Sequence, residues 1–303
     1  MNSVKLQLFK HDISFNTLLE ARGFKQIFRI ENPLELGNVL SFTDSITEPN
    51  VLFLFDIISC DISIFTINLE ILDKVFEGIN FSIGFLTPYK DEIDYSNIKY
   101  KTPSFDSHFK HSETLTFKAV TLDIEEIILK HLKNYYNTLR NNFGIFDSFY
   151  LPIDNKEETI KKLNKNIDDN VNSLTIEDSE YVNNNWPYKS NESIHFIKWA
   201  CSQEISASYR IKNEETGEND LVSWILMYPD ASIGSLFSDP KYRGKGFARK
   251  VSSLIILKKL QSQPTQLPYL FIKIDNTPSQ SLMRSLGFKT DTQVKWIVCS
   301  NNK

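Results

Sequence analysis

The chain has 303 residues, 41% hydrophobic and 24% charged, which are ordinary globular proportions with core material for about two domains. Acidic side chains outnumber basic ones by 38 to 34, and a formal charge of −4 argues against whole-protein attraction to nucleic acid or anionic lipid. Three cysteines (Cys60, Cys201 and Cys299) are too few and too scattered for a disulfide framework or a CxxC zinc site. No metal is expected, and a reduced intracellular compartment is the simplest reading. The most apolar stretches, 51–60 and 251–260, fall far short of a membrane span. The N-terminus lacks the apolar run of a secretory signal.

From Phe24 to about Pro152 the pattern mixes strands and helices. FKQIFRI (24–30), NVLFLFDI (50–57) and FSIGFLTP (81–88) read as buried strands, and INLEILDKVFEGI (67–79) has a helical rhythm. Residues 121–143 read as one long helix, with Ile124, Ile127, Ile128, Leu132, Tyr135 and Leu139 at three- and four-residue steps. The polar stretch 154–178 reads as a surface connection, and the Asn clusters at 164–172 and 183–185 as solvated loops. The expected organisation is an N-terminal α/β domain (1–153), a polar linker (154–178) and a C-terminal domain (179–303).

The second half alternates regularly. A helix over 190–201 precedes strands at 205–211, 221–228 and 231–238, the first two joined by the turn-like NEETGEN. A Gly-containing turn leads into a helix over 247–261. A strand (269–274), a helix (278–286) and a last strand (292–300) follow.

The segment SLFSDPKYRGKGFARKV (235–251) places a basic, glycine-containing turn between a strand and a helix. That arrangement is an anion cradle: the first helical amides lack intrahelical partners, and the macrodipole favours negative charge there. Gly244 and Gly246 allow close backbone approach, and Arg243 and Lys245 add positive charge. Taken alone, RGKG is also compatible with a plain surface turn. A Walker loop fails, because GKG lacks the GK[ST] ending. A Rossmann fingerprint fails because Arg249 stands where the third glycine belongs.

R-G-K-G-F-A (243–248) resembles the [QR]-x-x-G-x-[GA] loop of the GNAT superfamily of N-acetyltransferases. IDNTPSQSLMRSLGF (274–288) resembles that superfamily's second signature, with Asn276 after a strand and a helix ending in L-G-F. Locally, Thr277 is suited to cap, Pro278 to open the helix and Gln280 to complete a T-x-x-Q box. Upstream, YVNNNWPYKSNESIHFI (181–197) and P-K-Y-R (240–243) are similar to the glycine N-acyltransferase family, and the N-terminal half is weakly similar.

The resemblance implies an α/β (α+β) fold with a GNAT-type mixed central sheet flanked by helices. A second α/β domain would precede it, with a degenerate GNAT-like scaffold lacking a CoA site as one reading. It implies acyl-CoA or acetyl-CoA as co-substrate and an amine or small amino acid as acceptor. The pantetheine arm would pair with strand backbone at 235–238, including Ser238, and the amides of Arg243, Gly244, Lys245, Gly246, Phe247 and Ala248 would hold the pyrophosphate. Lys241, Lys245, Arg249 or Lys250 would meet the 3′-phosphate. The amide of Leu236 or Phe237 would polarise the thioester carbonyl, and Asn276 would serve as helix cap, CoA contact or both.

The sequence departs from the superfamily pattern at two places. Met283 stands where many members carry a Tyr acid, and Ser232 where the glycine N-acyltransferases carry a Glu base, with Asp230 as a substitute carboxylate. Arg210, Lys212 or Lys273 are candidate cations for an acceptor carboxylate. Trp186 and Trp224 read as core or acceptor-pocket walls, His195 as a packed or solvated histidine, and Cys201 as a buried thiol. Lys258 and Lys259 read as solvated charges at their helix end. The expected function is an acyl-CoA:amino-acid N-acyltransferase. The alternatives are an acetyltransferase acting on a small amine or protein N-terminus, and a non-catalytic acyl-CoA binder. Cytoplasm or mitochondrion are the compartments consistent with these readings, and the oligomeric state stays open.

Overall fold

Strands and helices are divided between two units, Met1–Asp147 with Asp291–Lys303 and Ser148–Thr290. The computed structural model describes residues 7–9, 39–56, 61–79, 114–189, 193–263 and 266–300. The expected strands at 24–30 and 81–88, and Cys60, lie outside the described residues.

In the first unit β1 (Gln7–Phe9), β2 (Val39–Thr43), β3 (Val51–Asp56) and β4 (Asp61–Thr66) form an antiparallel ladder. The helix α1 (Leu69–Gly78) starts at Asn68, whose side chain accepts the Ile71 amide at 3.1 Å. It buries Leu72, Val75 and Phe76, one face at helical spacing. Strand β5 (Thr114–Thr121) then runs parallel to β4, as a crossover connection requires. The Phe76 ring packs against Phe53, Phe117 and His131 at 5.7, 6.4 and 5.5 Å.

The long helix expected over 121–143 is only α2 (Glu125–Leu132), followed by a turn and β6 (Thr138–Arg140). Asp73 of α1 holds that helix through Lys130 at 2.8 Å and His131 at 2.7 Å. Those two donors, Lys130 first, hold the Asp73 carboxyl below the usual carboxylate range. Past Leu132 the apolar rhythm is overruled by strand pairing, since Leu139 sits opposite Cys299. The partner is the last strand of the chain, β13 (Lys289–Ser300), which also pairs with β5 antiparallel. Val294, Ile297 and Cys299 are fully buried. Residues 291–300, expected to close the C-terminal domain, therefore complete the sheet of the first unit.

Strand β7 (Phe146–Tyr150) leads the chain across the division. The stretch 154–178 is not a bare connection. It forms α3 (Lys156–Asn164), β8 (Val171–Asn172) and a 3-10 turn (Ile176–Asp178) within the second unit. Leu163, Val171 and Leu174 are buried while Ile176 is exposed, and Asn166 donates to Ser253 Oγ at 3.0 Å. The Asn cluster at 183–185 is likewise built in, at the end of α4 (Ser179–Asn184), where Ser193 Oγ donates to Asn183 at 2.7 Å. Helix α5 (Ser193–Ser202) follows, burying Phe196, Ile197, Ala200 and Cys201.

The sheet of this unit is antiparallel from β8 through β9 (Ser206–Lys212), β10 (Asn219–Met227) and β11 (Ile233–Ser238). Helix α6 (Phe247–Ser262) is the crossover that brings β12 (Tyr269–Lys273) parallel to β11. Val251, Ile255, Ile256 and Leu260 of α6 join Val222, Ile225, Leu270 and Ile272 in one core. The mixed sheet flanked by helices is the expected fold class.

Two lysines of α6 correct the expectation of solvated charges. Lys259 is fully buried and donates to Gln263 and, at 2.8 Å, to Gln266. Lys258 donates to Ser173 Oγ and the carbonyls of Glu204 and Ser206 at 2.6–2.9 Å, and its burial lowers its pKa. Both sit where α6 turns its side onto the sheet, so their ammonium groups take polar partners in place of water.

Candidate functional site: a splayed strand pair beside an anion loop

Strands β11 and β12 pair at one register position only, Ile233 with Leu270. Beyond it they diverge, and among the described residues the backbone of 235–238 has no strand on its β12 side. On its other side β11 is kinked against β10. Trp224 faces Phe237 but Leu226 faces Gly234, so Ser235 and Leu236 bulge opposite Ile225. Ser235 carries that bulge at φ +53°, a left-handed conformation that side chains other than glycine seldom adopt.

The bulge is held from both ends. The Tyr228 hydroxyl shares a hydrogen bond with Ser235 Oγ at 2.8 Å. Ser223 Oγ lies 2.8 Å from the Phe237 carbonyl and 2.8 Å from Ser238 Oγ. Trp224 stacks on Phe237 with centroids 4.2 Å apart. Sequence reading missed Tyr228, Ser235 and Ser223. Gly234 inside an apolar strand was the available signal, since an isolated strand glycine marks a bulge or a close approach. A Cβ at Gly234 would stand 2.4 Å from the Tyr228 ring.

After β11, Asp239 accepts the Lys241 amide at 2.8 Å, and the Arg243 Nε–H donates to the Ser238 carbonyl at 3.2 Å, folding the loop back on the strand end. Gly244 and Gly246 have φ of +78° and +83°, and a Cβ at either would meet nothing within 4 Å. Helix α6 starts at Phe247 with Gly246 as its cap. The amides of 244–248 have no backbone partner among the described residues. They line an open cradle with the exposed Arg243 and Lys245 beside it.

The four candidate phosphate cations differ. Lys241 and Lys245 are exposed, and Lys245 lies 5.1 Å over the Tyr242 ring. Arg249 donates to Ser285 Oγ at 2.7 Å. Lys250 is ion-paired with Asp168, which raises its pKa, and it covers the Tyr209 ring.

Asn276 caps α7 (Thr277–Ser285), accepting the Ser279 amide at 3.3 Å. The capping role expected of Thr277 thus belongs to Asn276, and Gln280 reaches the carbonyls of Lys273 and Ile274 instead of closing a box. Met283 is buried in the core. Asp230 and Ser232 are brought together in the turn between β10 and β11. Asp230 Oδ1 accepts the Ser232 amide at 3.1 Å and its hydroxyl at 2.6 Å, while the Tyr269 hydroxyl donates to the Asp230 carbonyl at 2.6 Å. Of the candidate acceptor cations, Arg210 is paired with Asp178 at 2.5 Å and Lys273 with Asp275 at 3.6 Å, while Lys212 is exposed at the end of β9.

Trp224 is a core residue. Trp186 instead joins Tyr188, Phe196 and Tyr228 in an aromatic cluster. No three or more His, Cys, Asp or Glu residues among the described ones are placed to hold a metal ion, and no described helix is long and apolar enough to cross a membrane.

Burial pushes the thiol of Cys201 up to about 11 and that of Cys299 up to about 12. Both should resist iodoacetamide in the native protein at pH 8 and label fully in denaturant. Mass spectrometry of the two peptides reads this, and rapid native labelling would contradict their burial.

Residues 211–297 match the family described as FR47-like protein. Over 116 residues the chain is 29% identical to the human glycine N-acyltransferase-like protein 1, a match covering 38% of this chain and 36% of that protein. The chain thus matches little more than a third of the length of this curated relative. A Drosophila protein of solved structure covers 100% of both chains with a TM-score of 0.69 at 13% identity, a likeness of fold. A tandem GNAT protein from the clavulanic acid biosynthesis pathway covers 99% of both at 10% identity with a TM-score of 0.45. The splayed strands and the anion loop thus lie within the segment, residues 211–297, that matches the FR47-like family.

Proposed function

We propose that the second unit is an acyl-CoA-dependent N-acyltransferase whose acceptor is the amine of glycine or a related small amino acid. The observation that carries this reading is the bulged, half-unpaired strand β11 running into an open cradle of amides at 244–248. An extended thioester arm can add to that strand edge as a further strand would, with its diphosphate at the N-terminus of α6. Arg243, Gly244, Lys245, Gly246, Phe247 and Ala248 form the diphosphate site in this reading, and Ser238 meets the arm. Asn276 acts as the cap of α7. Arg249, Lys241 and Lys245 are the cations left for a further phosphate, because Lys250 is held by Asp168.

The acceptor nitrogen uses its lone pair to form the C–N bond as the carbonyl pair moves onto oxygen. The Leu236 or Phe237 amide meets the developing oxyanion, which is where a preorganised donor helps most. The C–S bond then breaks, its electron pair leaves on the CoA sulfur, and that sulfur takes up a proton from water. The ammonium proton passes to the Asp230 carboxylate, directly or through water, with Ser232 fixing the carboxylate's orientation.

Buried Met283 in place of a tyrosine acid favours a second reading, a unit that binds acyl-CoA without turnover. Free thiol release tests both, with acetyl-, benzoyl- and long-chain acyl-CoA each offered to glycine, other amino acids and a polyamine. Acceptor-dependent release supports the transferase, and silence with CoA still bound supports the binder. Asp230→Asn is expected to lower kcat about tenfold or more near neutral pH, since general acid–base help is worth about 10²–10⁴-fold. An unchanged rate would remove Asp230 from the mechanism.

A further inference from the structure

We propose that Tyr228 is a positioning residue, which clamps Ser235 in its left-handed conformation and so aims the Leu236 amide at the thioester carbonyl. This rests on the N-acyltransferase reading. Four features converge on one place. Ser235 is a non-glycine residue at φ +53° in the middle of a strand, a conformation that persists only where its surroundings over-determine it. Its hydroxyl has a specific partner, the Tyr228 hydroxyl at 2.8 Å. That phenol is in turn immobilised, since its ring stacks on Phe196 at 5.0 Å and lies 6.3 Å from Trp186. Gly234, next to Ser235, leaves the space the ring fills, because any Cβ there would come within 2.4 Å of it.

The other end of the bulge is tied by Ser223 to the Phe237 carbonyl and to Ser238. Between these two ties lie two peptide units, 235–236 and 236–237, which carry the Leu236 and Phe237 amides. Turning Ser235 back to extended geometry would rotate the Leu236 N–H to a new direction, while the extra residue of the bulge would remain. Burial pushes the Tyr228 phenol up to about 12, so it keeps its proton across the physiological range. A phenol held neutral in this way is suited to hold the backbone and poorly suited to give its proton to a thiolate. That is why the role assigned is positioning.

The test compares Tyr228→Phe alone with two double variants that add Ser235→Gly or Ser235→Ala. Glycine occupies φ > 0 without strain, whereas alanine does not. Tyr228→Phe should lower kcat about tenfold while KM for the acyl-CoA and the Kd for CoA stay within about twofold. The added Ser235→Gly should restore more than half of the lost kcat, and the added Ser235→Ala should restore none. In parallel, NMR backbone shifts of Ser235 should move from left-handed toward extended values in Tyr228→Phe, a readout independent of turnover.

Wild-type kcat in Tyr228→Phe, equal rescue by glycine and alanine, or unmoved Ser235 shifts would each overturn the clamp. A parallel loss of CoA affinity would overturn it too, by showing general damage to the unit. Failure of the underlying reading is recognised separately, as wild-type protein that releases no thiol with any acceptor.

Discussion

Gly246→Trp should abolish measurable CoA binding while leaving the second unit folded. Gly246 sits at φ +83° as the cap of α6, and a Cβ there would meet no atom within 4 Å. A side chain is therefore sterically tolerated by the protein itself, at a backbone cost of about 1–2 kcal/mol for a left-handed non-glycine residue. That cost lowers Tm by only a few degrees in a protein of this size. The indole, however, would stand in the open space before the amides of 244–248, where a diphosphate must come into contact. Calorimetric affinity for CoA should fall at least about 100-fold, equivalent to roughly 2.7 kcal/mol.

Gly217→Trp is the matched control, since Gly217 has φ +76°, equally open surroundings and a place in the turn between β9 and β10. It should carry the same strain and keep wild-type affinity. Undiminished binding in Gly246→Trp, or an equal loss in both variants, would remove the loop from the coenzyme site.

Trp224→Ala should cost the second unit about 3–5 kcal/mol, the range for truncating a fully buried large aromatic side chain. Trp224 is 2% exposed, stacks on Phe237 and meets Tyr181 edge-on at 5.6 Å. It joins the middle strand of the sheet to the bulged strand and to the helix α4 above it. With a whole-domain stability of about 5–15 kcal/mol, a loss of this size brings the unit close to unfolding. Urea unfolding followed by circular dichroism reads it as an early transition, and Trp224→Phe should recover more than half by keeping the stack. A cost below about 1 kcal/mol would mean that the stack contributes little to holding β11.

Motifs with their own local physics are legible in the sequence. R-G-K-G after a strand specifies an amide cradle because glycine alone relaxes at φ > 0 and because helix starts leave amides free. Both glycines are left-handed, and the helix starts one residue later. The apolar faces of α1, α5 and α6 are equally legible from their spacing. The apparent helix over 121–143 misleads because Leu139 carries the right period but pairs with Cys299, a residue far along the chain. The segment 154–178 misleads because a few buried apolar side chains suffice to dock a polar stretch. In α7, N-T-P-S holds two good caps in succession, and only the chain's path from β12 selects Asn276 over Thr277.

What the sequence determined by itself was the mixed α/β class, the glycine-containing turn at 243–248 and the helix that follows it, since each depends on residues within one turn of another. What only the tertiary structure decided was the divergence of β11 from β12, the left-handed Ser235 tied to Tyr228, the burial of Lys259 and the pairing of 291–300 with the first unit. Each of these depends on contacts between distant segments. Local preference is worth a few tenths of a kcal/mol per residue, and packing outweighs it.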